Sequence, residues 1–155
     1  MTAVLQRVKK AAVRVDAEVR GACEHGLMIL LGVRCGDTEE DAFLLADKIA
    51  RLRIFEDGEG KMNLSVLDVG GSVLVVSNFT LAADYSHGNR PSYIEAARPE
   101  VAEPLYLAFA DRLRTAVPRV ECGVFGADMK IDMLADGPVT IVMESDKLRK
   151  GKRGA

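Results

Sequence analysis

The stretch "SVLVVSNFTLAAD", residues 72 to 84, sets the character of the sheet and marks a candidate site. It begins with a run of mostly β-branched apolar residues, which is typical of a strand buried on both faces. The run ends at Ser77, and the polar side chains of Asn78 and Thr80 follow at once. Polar groups at the end of a buried strand form either a local cap or a binding site. We therefore predict a strand from Ser72 to Ser77 with a candidate site directly after it.

Two segments before this stretch also have strand patterns. "VRVDAEVR", residues 13 to 20, alternates apolar and polar side chains, which predicts a half-buried strand or a hairpin. "GLMILLGV", residues 26 to 33, is apolar throughout, as a strand covered on both faces would be. A helix is predicted next, because Asp37 and Glu40 have the spacing of a capping box. Apolar residues then recur at helical intervals, at Ala42, Leu45, Ile49 and Leu52.

The second half of the chain predicts one more helix and two more strands. The helix begins between Pro99 and Pro104, because proline is tolerated in a first turn, and it ends before Pro118. The strands are expected at residues 126 to 134 and 139 to 144, joined by "ADGP". There is no internal repeat and no linker. The chain is therefore predicted to be a single α/β domain of mixed and antiparallel sheets with two main helices.

Composition limits the classes of function. A formal net charge of -2 argues against sequence-independent nucleic-acid binding, which needs a basic surface. Three cysteines without a C-x-x-C pair indicate neither a disulfide framework nor a zinc knuckle. No apolar run is long enough to span a membrane. The 155 residues suit one domain, predicted at residues 1 to 146, and the basic residues 147 to 155 are expected to form a mobile tail.

Three interpretations of the polar stretch follow from its chemistry. In the first, Ser77 or Thr80 is a nucleophile and His87, a few residues further on, is its base. In the second, both hydroxyls only form local hydrogen bonds where the strand ends. In the third, the backbone N–H groups around Asn78 to Thr80 bind an oxyanion.

Other clusters carry weaker signals. Cys23 and His25 offer only two metal ligands, which favours a packed thiol and a surface imidazole over a metal site. Gly137-Pro138 between two strands predicts an ordinary turn, since few X–Pro bonds are cis. Three carboxylates at a spacing of four share one strand face and suggest a cation site or a solvated acidic face: Asp128, Asp132 and Asp136.

In order along the chain, the motifs "SNFTL", "GNRPSY" and "DGPVT" resemble those of the D-aminoacyl-tRNA deacylase family. "LQRV", "RIF...GKMNLSV", "GGSVLVVS" and "FGADM" extend the likeness over most of the chain. The resemblance implies an α/β homodimer that hydrolyses the ester joining a D-amino acid, or mischarged glycine, to the 3′ end of tRNA. It implies a cytoplasmic role in translation quality control, with no metal or cofactor and no membrane or DNA partner.

The resemblance assigns the first motif, Ser77 to Leu81, to the pocket wall. Ser77, Asn78, Phe79 and Thr80 are then the expected catalytic residues, with the backbone of Phe79 and Thr80 holding the aminoacyl group. The family is thought to need no protein base, because the ribose 2′-hydroxyl beside the ester can help to activate the attacking water. Thr80 is accordingly expected to position the substrate.

The resemblance assigns the second motif to chiral selection. Gly137 and Pro138, joined by a cis bond, would enter the partner subunit's pocket and exclude a side chain of L configuration. Arg7 resembles the arginine that steadies their carbonyl pair. Phe125 and Met129 match positions that cradle the terminal adenosine.

Two positions depart from the family pattern. Asn78 stands where the family has Gln, and Ala135 stands where it has Asn. These substitutions support an alternative interpretation, a catalytically silent homologue that binds tRNA ends or a small ligand. A further alternative is an esterase that depends on Thr80 or His87. The basic tail would add weak attraction to tRNA.

Overall fold

The computed structural model describes residues 1 to 152, and the last three residues of the predicted tail, 153 to 155, lie outside the described part. The strands are β1 Thr2–Val15, β2 Glu18–Cys23, β3 Gly26–Gly32, β4 Phe55–Glu56, β5 Met62–Leu64, β6 Ser72–Ser77, β7 Val120–Cys122 and β8 Lys130–Glu144. The α-helices are α1 Glu39–Ala50, α2 Pro99–Arg114 and α3 Ser145–Lys152, and a 3₁₀ turn spans Phe79–Ala82. No helix in this part of the chain is long and apolar enough to cross a membrane.

The main sheet has six strands and is organised around β1. The strand order is β2-β1-β3-β6-β7, and β8 pairs with β1. The first half of β1 pairs with β3 and its second half with β2, while β8 runs antiparallel to β1 along almost its whole length. The backbone N–H of Ala22 on β2 donates to the carboxylate of Glu121 on β7 at 2.7 Å. The sheet is therefore curved nearly into a barrel.

The hairpin between β1 and β2 explains where the alternating pattern of residues 13 to 20 misleads. Asp16 and Ala17 form the turn with positive φ angles of 50° and 65°. The pattern continues across the turn, but Val19 is exposed whereas Val13 is fully buried. The hairpin interpretation is correct, and a single buried face extending to residue 19 is wrong.

Helices α1 and α2 cover one face of the sheet. The large buried side chains of this core include Phe55, Tyr106 and Phe109. The two helices are joined by Arg112, whose guanidinium donates to both carboxylate oxygens of Asp47 at 2.7 and 2.9 Å. The fold thus fixes α2 against α1 at one end and leaves its first turns beside the end of β6.

The start of α1 differs from the predicted cap. Thr38 is the N-cap and Asp41 completes the capping box, one residue later than the predicted pair Asp37 and Glu40. The carboxylate of Asp37 is engaged elsewhere, since it accepts a hydrogen bond from the backbone N–H of Arg34 at 2.6 Å. The core face of α1 is as predicted.

The end of the chain differs from prediction at two places. "ADGP" does not reverse the chain, because β8 runs through it as one strand with irregular pairing to β1 near Val8. The predicted tail begins at residue 147, but residues 147 to 152 belong to α3, whose Leu148 packs against the core. The structured part of the chain therefore extends beyond the predicted domain boundary.

Candidate functional site

The end of β6 places the first motif. Ser77 is the last residue paired with β3, opposite Leu31, and the backbone N–H of Asn78 still donates to the Leu31 carbonyl at 2.8 Å. The chain then turns into the 3₁₀ segment that starts at Phe79. The strand β6 ends here because its neighbour β3 ends at Gly32 and offers no further backbone partners.

The Asn78 side chain is the local cap of this turn. Its Oδ1 atom accepts a hydrogen bond from the backbone N–H of Thr80 at 3.2 Å and another from the Thr80 hydroxyl. In the described part of the chain, His87 forms no hydrogen bond with either hydroxyl of the motif. The interpretation that both hydroxyls bond locally is therefore correct for Thr80, whereas the Ser77 hydroxyl has no hydrogen-bond partner among the described residues. A nucleophile paired with His87 has no geometric support.

The backbone N–H groups of the motif are not equivalent. Those of Asn78 and Thr80 are used, by the Leu31 carbonyl and the Asn78 side chain. Among the described residues, the N–H of Phe79 has no acceptor. Of the three N–H groups from Asn78 to Thr80, one is therefore unpaired among the described residues, and the extended oxyanion nest predicted from all three is not formed.

A cavity of about 660 Å³ opens beside this motif. Ser77, Asn78 and Phe79 line it, and Phe125 and Met129, the predicted adenosine-binding residues, line it too. Thr80 does not. The structure therefore brings together five of the predicted site residues from separate parts of the chain.

Aromatic rings shape the cavity. The Phe79 ring is 58% exposed and meets the edge of Tyr93 at a centroid distance of 5.2 Å. Tyr106 lies 5.8 Å from Phe125, and its hydroxyl donates to the Val75 carbonyl at 2.9 Å. Burial raises the pKa of Tyr106, with a further contribution from the neighbouring Cys122, so this hydroxyl remains a neutral donor.

Two lining residues were not predicted from the sequence. Tyr93 follows directly after "GNRPS" in the long loop, and Tyr106 lies one helical turn after Ala102 on α2. The prolines predicted the helix that carries Ala102 and Tyr106, but they did not indicate that this helix borders a cavity.

A second group of predicted residues lies on β1 and β8. The buried guanidinium of Arg7 donates from Nε to the Asp136 carbonyl at 3.1 Å and from Nη1 to the Ile54 carbonyl at 2.9 Å. The Gly137-Pro138 peptide bond is cis, and both residues are exposed. Arg7 therefore fixes the backbone immediately before Gly137.

The two groups do not meet within one chain. Neither Arg7 nor Gly137 nor Pro138 lines the cavity beside Phe79. The residues predicted to select chirality and the residues predicted to hold the ester thus form two separate surfaces.

The two possible metal sites considered from the sequence receive no support among the described residues. The Cys23 thiol is buried and directed at the Leu27 carbonyl, while the exposed His25 ring lies tilted against Phe55 at a centroid distance of 5.3 Å. Burial raises the pKa of Cys23 to about 11, which disfavours the thiolate that a metal would need. The three carboxylates pair with separate cations, as Asp128–Lys130, Asp132–Arg14 and Asp136–Lys9. No cluster of potential metal ligands occurs among the described residues.

Comparison with known proteins defines the family. A family model described as D-Tyr-tRNA(Tyr) deacylase matches residues 4–144. A D-aminoacyl-tRNA deacylase of Chloroflexus aurantiacus is 58% identical, covering 99% of this chain and 96% of its own length. That of Anaeromyxobacter dehalogenans is 57% identical, with 96% and 99% covered. A solved structure named c-Myc DNA Unwinding Element Binding Protein superposes with a TM-score of 0.88 at 39% identity, covering 93% of this chain and 98% of that one.

The fold and these relatives define a hydrolase that acts on an aminoacyl-tRNA. The chain belongs to the D-Tyr-tRNA(Tyr) deacylase family. The family resemblance and the single-domain α/β fold class are thereby confirmed, with α3 added to the two predicted helices.

Proposed function

We propose that the chain hydrolyses the ester between a D-amino acid, or mischarged glycine, and the 3′ end of tRNA, and that it rejects L-amino acids sterically. The working unit is a homodimer in which Gly137 and Pro138 of one subunit enter the cavity beside Phe79 of the other. The enzyme acts in the cytoplasm, where charged tRNA is used in translation.

The observation that carries this proposal is the separation of the two predicted groups within one chain. Gly137 and Pro138 are exposed on a strand, and the Arg7 guanidinium holds the carbonyl just before them. A buried arginine that fixes a solvent-exposed backbone segment contributes nothing to a monomer's cavity. It is well suited to fixing a segment that a second subunit must receive in one position.

The face around β8 supports a second subunit. β8 pairs only with β1 among the described strands, so a strand of 15 residues forms an open sheet edge. Long uncovered edges with apolar side chains promote association. The exposed apolar residues of this strand are Ile131, Met133, Leu134 and Val142.

Ester hydrolysis in this cavity is expected to depend on a hydrogen-bond donor to the carbonyl oxygen more than on a protein base. As the ester is attacked, negative charge develops on its carbonyl oxygen, and the unpaired N–H of Phe79 is available to stabilise it. The hydroxyl of Thr80 is held by Asn78 and shapes the turn. The ribose 2′-hydroxyl of the substrate would assist the attacking water, which accounts for a site without a histidine.

The two departures from the family pattern fit this proposal. Asn78 reaches the Thr80 N–H from its own side chain and caps the turn, so the shorter amide still has a structural role. Ala135 precedes a backbone segment whose position Arg7 and the β1 pairing fix. Neither substitution removes the Phe79 N–H or the Gly137 backbone.

The test is hydrolysis of D-tyrosyl-tRNA and L-tyrosyl-tRNA at catalytic enzyme concentration with EDTA present. We expect the D ester to be cleaved about 100-fold faster or more, which corresponds to a barrier difference of about 2.7 kcal/mol. Glycyl-tRNA should also be cleaved, because glycine has no side chain to exclude. EDTA should leave the rates unchanged.

The other outcomes have distinct meanings. If neither ester were hydrolysed, the result would indicate the catalytically silent homologue. Equal loss of both esters would retain the hydrolase but contradict the steric gate.

A further inference from the structure

The end of α1 and the new helix α3 form a second concave surface, which we call the basic groove. Its volume is about 600 Å³. Its lining includes Lys48, Arg51, Arg53 and three leucines, Leu44, Leu52 and Leu148. Leu148 belongs to α3, which follows the last residue matched by the family model.

The lining of the basic groove has three cations and one acid, although the chain is slightly acidic overall. Lys48, Arg51 and Arg53 are all exposed, and among the described residues neither the Lys48 ammonium nor the Arg51 guanidinium has an acidic partner. The one acid in the lining, Asp47, is bound by Arg112 through two hydrogen bonds. The groove therefore presents at least two uncompensated cations side by side.

A purely structural explanation accounts for only part of this pattern. Cations in the last turn of a helix stabilise its dipole, which suits Lys48 and Arg51 at the end of α1. Arg53 lies beyond the helix, where its Nε atom donates to the Asn63 carbonyl and its charge interacts with the Asp68 carboxylate. The helix dipole thus explains the two cations at the end of α1. It does not explain why Arg53 and helix α3 complete a concave surface around them.

Helix α3, which forms one side of the groove, is anchored to the rest of the domain. Asp41, which is almost fully buried, is bonded to the guanidinium of Arg149, and Ser145 at the start of α3 is fully buried. Lys147 is exposed and pairs with Glu144 at 3.3 Å. The sequence after Leu148 continues as "RKGKRGA", which adds further positive charge without an acid.

We propose that the basic groove binds the phosphate backbone of the tRNA, upstream of the ester held in the cavity beside Phe79. This inference rests on the proposed function, since it assigns a further contact to the same substrate. α2 connects the two places: Ala102 lines the cavity and Arg112 anchors the groove. Arg112 binds Asp47 in the groove lining and lies ten residues after Ala102 on α2, or about 15 Å along the helix at 1.5 Å per residue.

The test compares two double variants that each remove two exposed cations. Lys48→Gln/Arg51→Gln changes the groove, and Lys10→Gln/Arg20→Gln is the matched control on β1 and β2. For the groove variant we expect KM for D-tyrosyl-tRNA to rise about tenfold at low salt with kcat unchanged. The slope of log KM against log salt should fall by about 1.4 to 1.8, because each lost phosphate contact contributes about 0.7 to 0.9.

A minimal substrate separates this role from a structural one. D-tyrosyl-adenosine has no polynucleotide, so the groove variant should cleave it at the wild-type rate. An equal loss on both substrates, or a groove variant that matches the control on tRNA, would overturn the proposal. Anionic lipid is the other phosphate-bearing surface that the groove could bind. If the groove variant lost binding to phosphatidylserine vesicles but bound tRNA like the wild type, the proposal would also be overturned.

Binding of uncharged tRNA makes the test independent of catalysis. If the wild type cleaved neither ester, the proposed function would fail. The groove would still be supported if the groove variant bound uncharged tRNA about tenfold more weakly than the control variant, and overturned if the two bound equally.

Discussion

Phe79→Pro is expected to lower kcat for D-tyrosyl-tRNA by about 100- to 1000-fold, the range measured when one oxyanion donor is removed. Proline removes the backbone N–H of residue 79, which has no acceptor among the described residues. Proline is tolerated at the first position of a helical turn, and Asn78 before it is already extended. The turn should therefore persist while the donor is lost.

Phe79→Ala is the control for this variant. It removes the exposed ring and its contact with Tyr93 but keeps the N–H. We expect it to raise KM with a change in kcat of less than about tenfold, since ring contacts act on binding. Equal losses of kcat in Phe79→Pro and Phe79→Ala would show that the ring, and not the backbone donor, is what the reaction requires.

Gly137→Ala is expected to reduce deacylation about 100-fold, because displacements of about 1 Å at a reacting site can have that effect. Gly137 has a φ of 134°, which L side chains rarely adopt. A Cβ atom there would lie 2.7 Å from the backbone nitrogen of Val139 and 2.9 Å from its Cγ2 atom. The backbone between Asp136 and Val139 must therefore shift, and with it the carbonyls that we propose exclude the L substrate.

Gly60→Ala separates backbone strain from the loss of the gate. Gly60 also has a positive φ, of 74°, but a Cβ atom there meets nothing within 4 Å. Thermal unfolding should show each variant destabilised by about 1 to 3 kcal/mol. Only Gly137→Ala should lose activity or accept L-tyrosyl-tRNA, and a Gly137→Ala enzyme with wild-type rates and selectivity would rule out the gate.

Local patterns identified most of the sheet and both large helices. The buried strand Ser72–Ser77 and the core face of α1 were correctly predicted, because burial on one or both faces leaves a regular spacing of apolar residues. The alternation in residues 13 to 20 was ambiguous, since Asp16 and Ala17 turn the chain without the glycine or asparagine that usually marks such a turn.

Other features depend on contacts that no local pattern encodes. "ADGP" reads as a turn, yet pairing with β1 on both sides keeps β8 in one direction. The segment after residue 146 reads as a basic tail, yet Arg149 finds the buried carboxylate of Asp41, more than 100 positions earlier. The cavity was identified through the family motifs, because its aromatic walls come from a loop and a helix that only the fold brings together.

The central claim, that each active site is built from two subunits, is tested most directly by mixing the two inactive variants. Phe79→Pro and Gly137→Ala chains carrying different affinity tags are co-expressed, and mixed dimers are purified through both tags. In a two-fold symmetric dimer, one of the two sites then has an intact cavity and an intact gate, and the other has neither. We predict that mixed dimers recover about half of the wild-type activity, with selectivity for the D ester. Mixed dimers no more active than either parent would contradict the claim, because both halves of the site would then belong to the same chain.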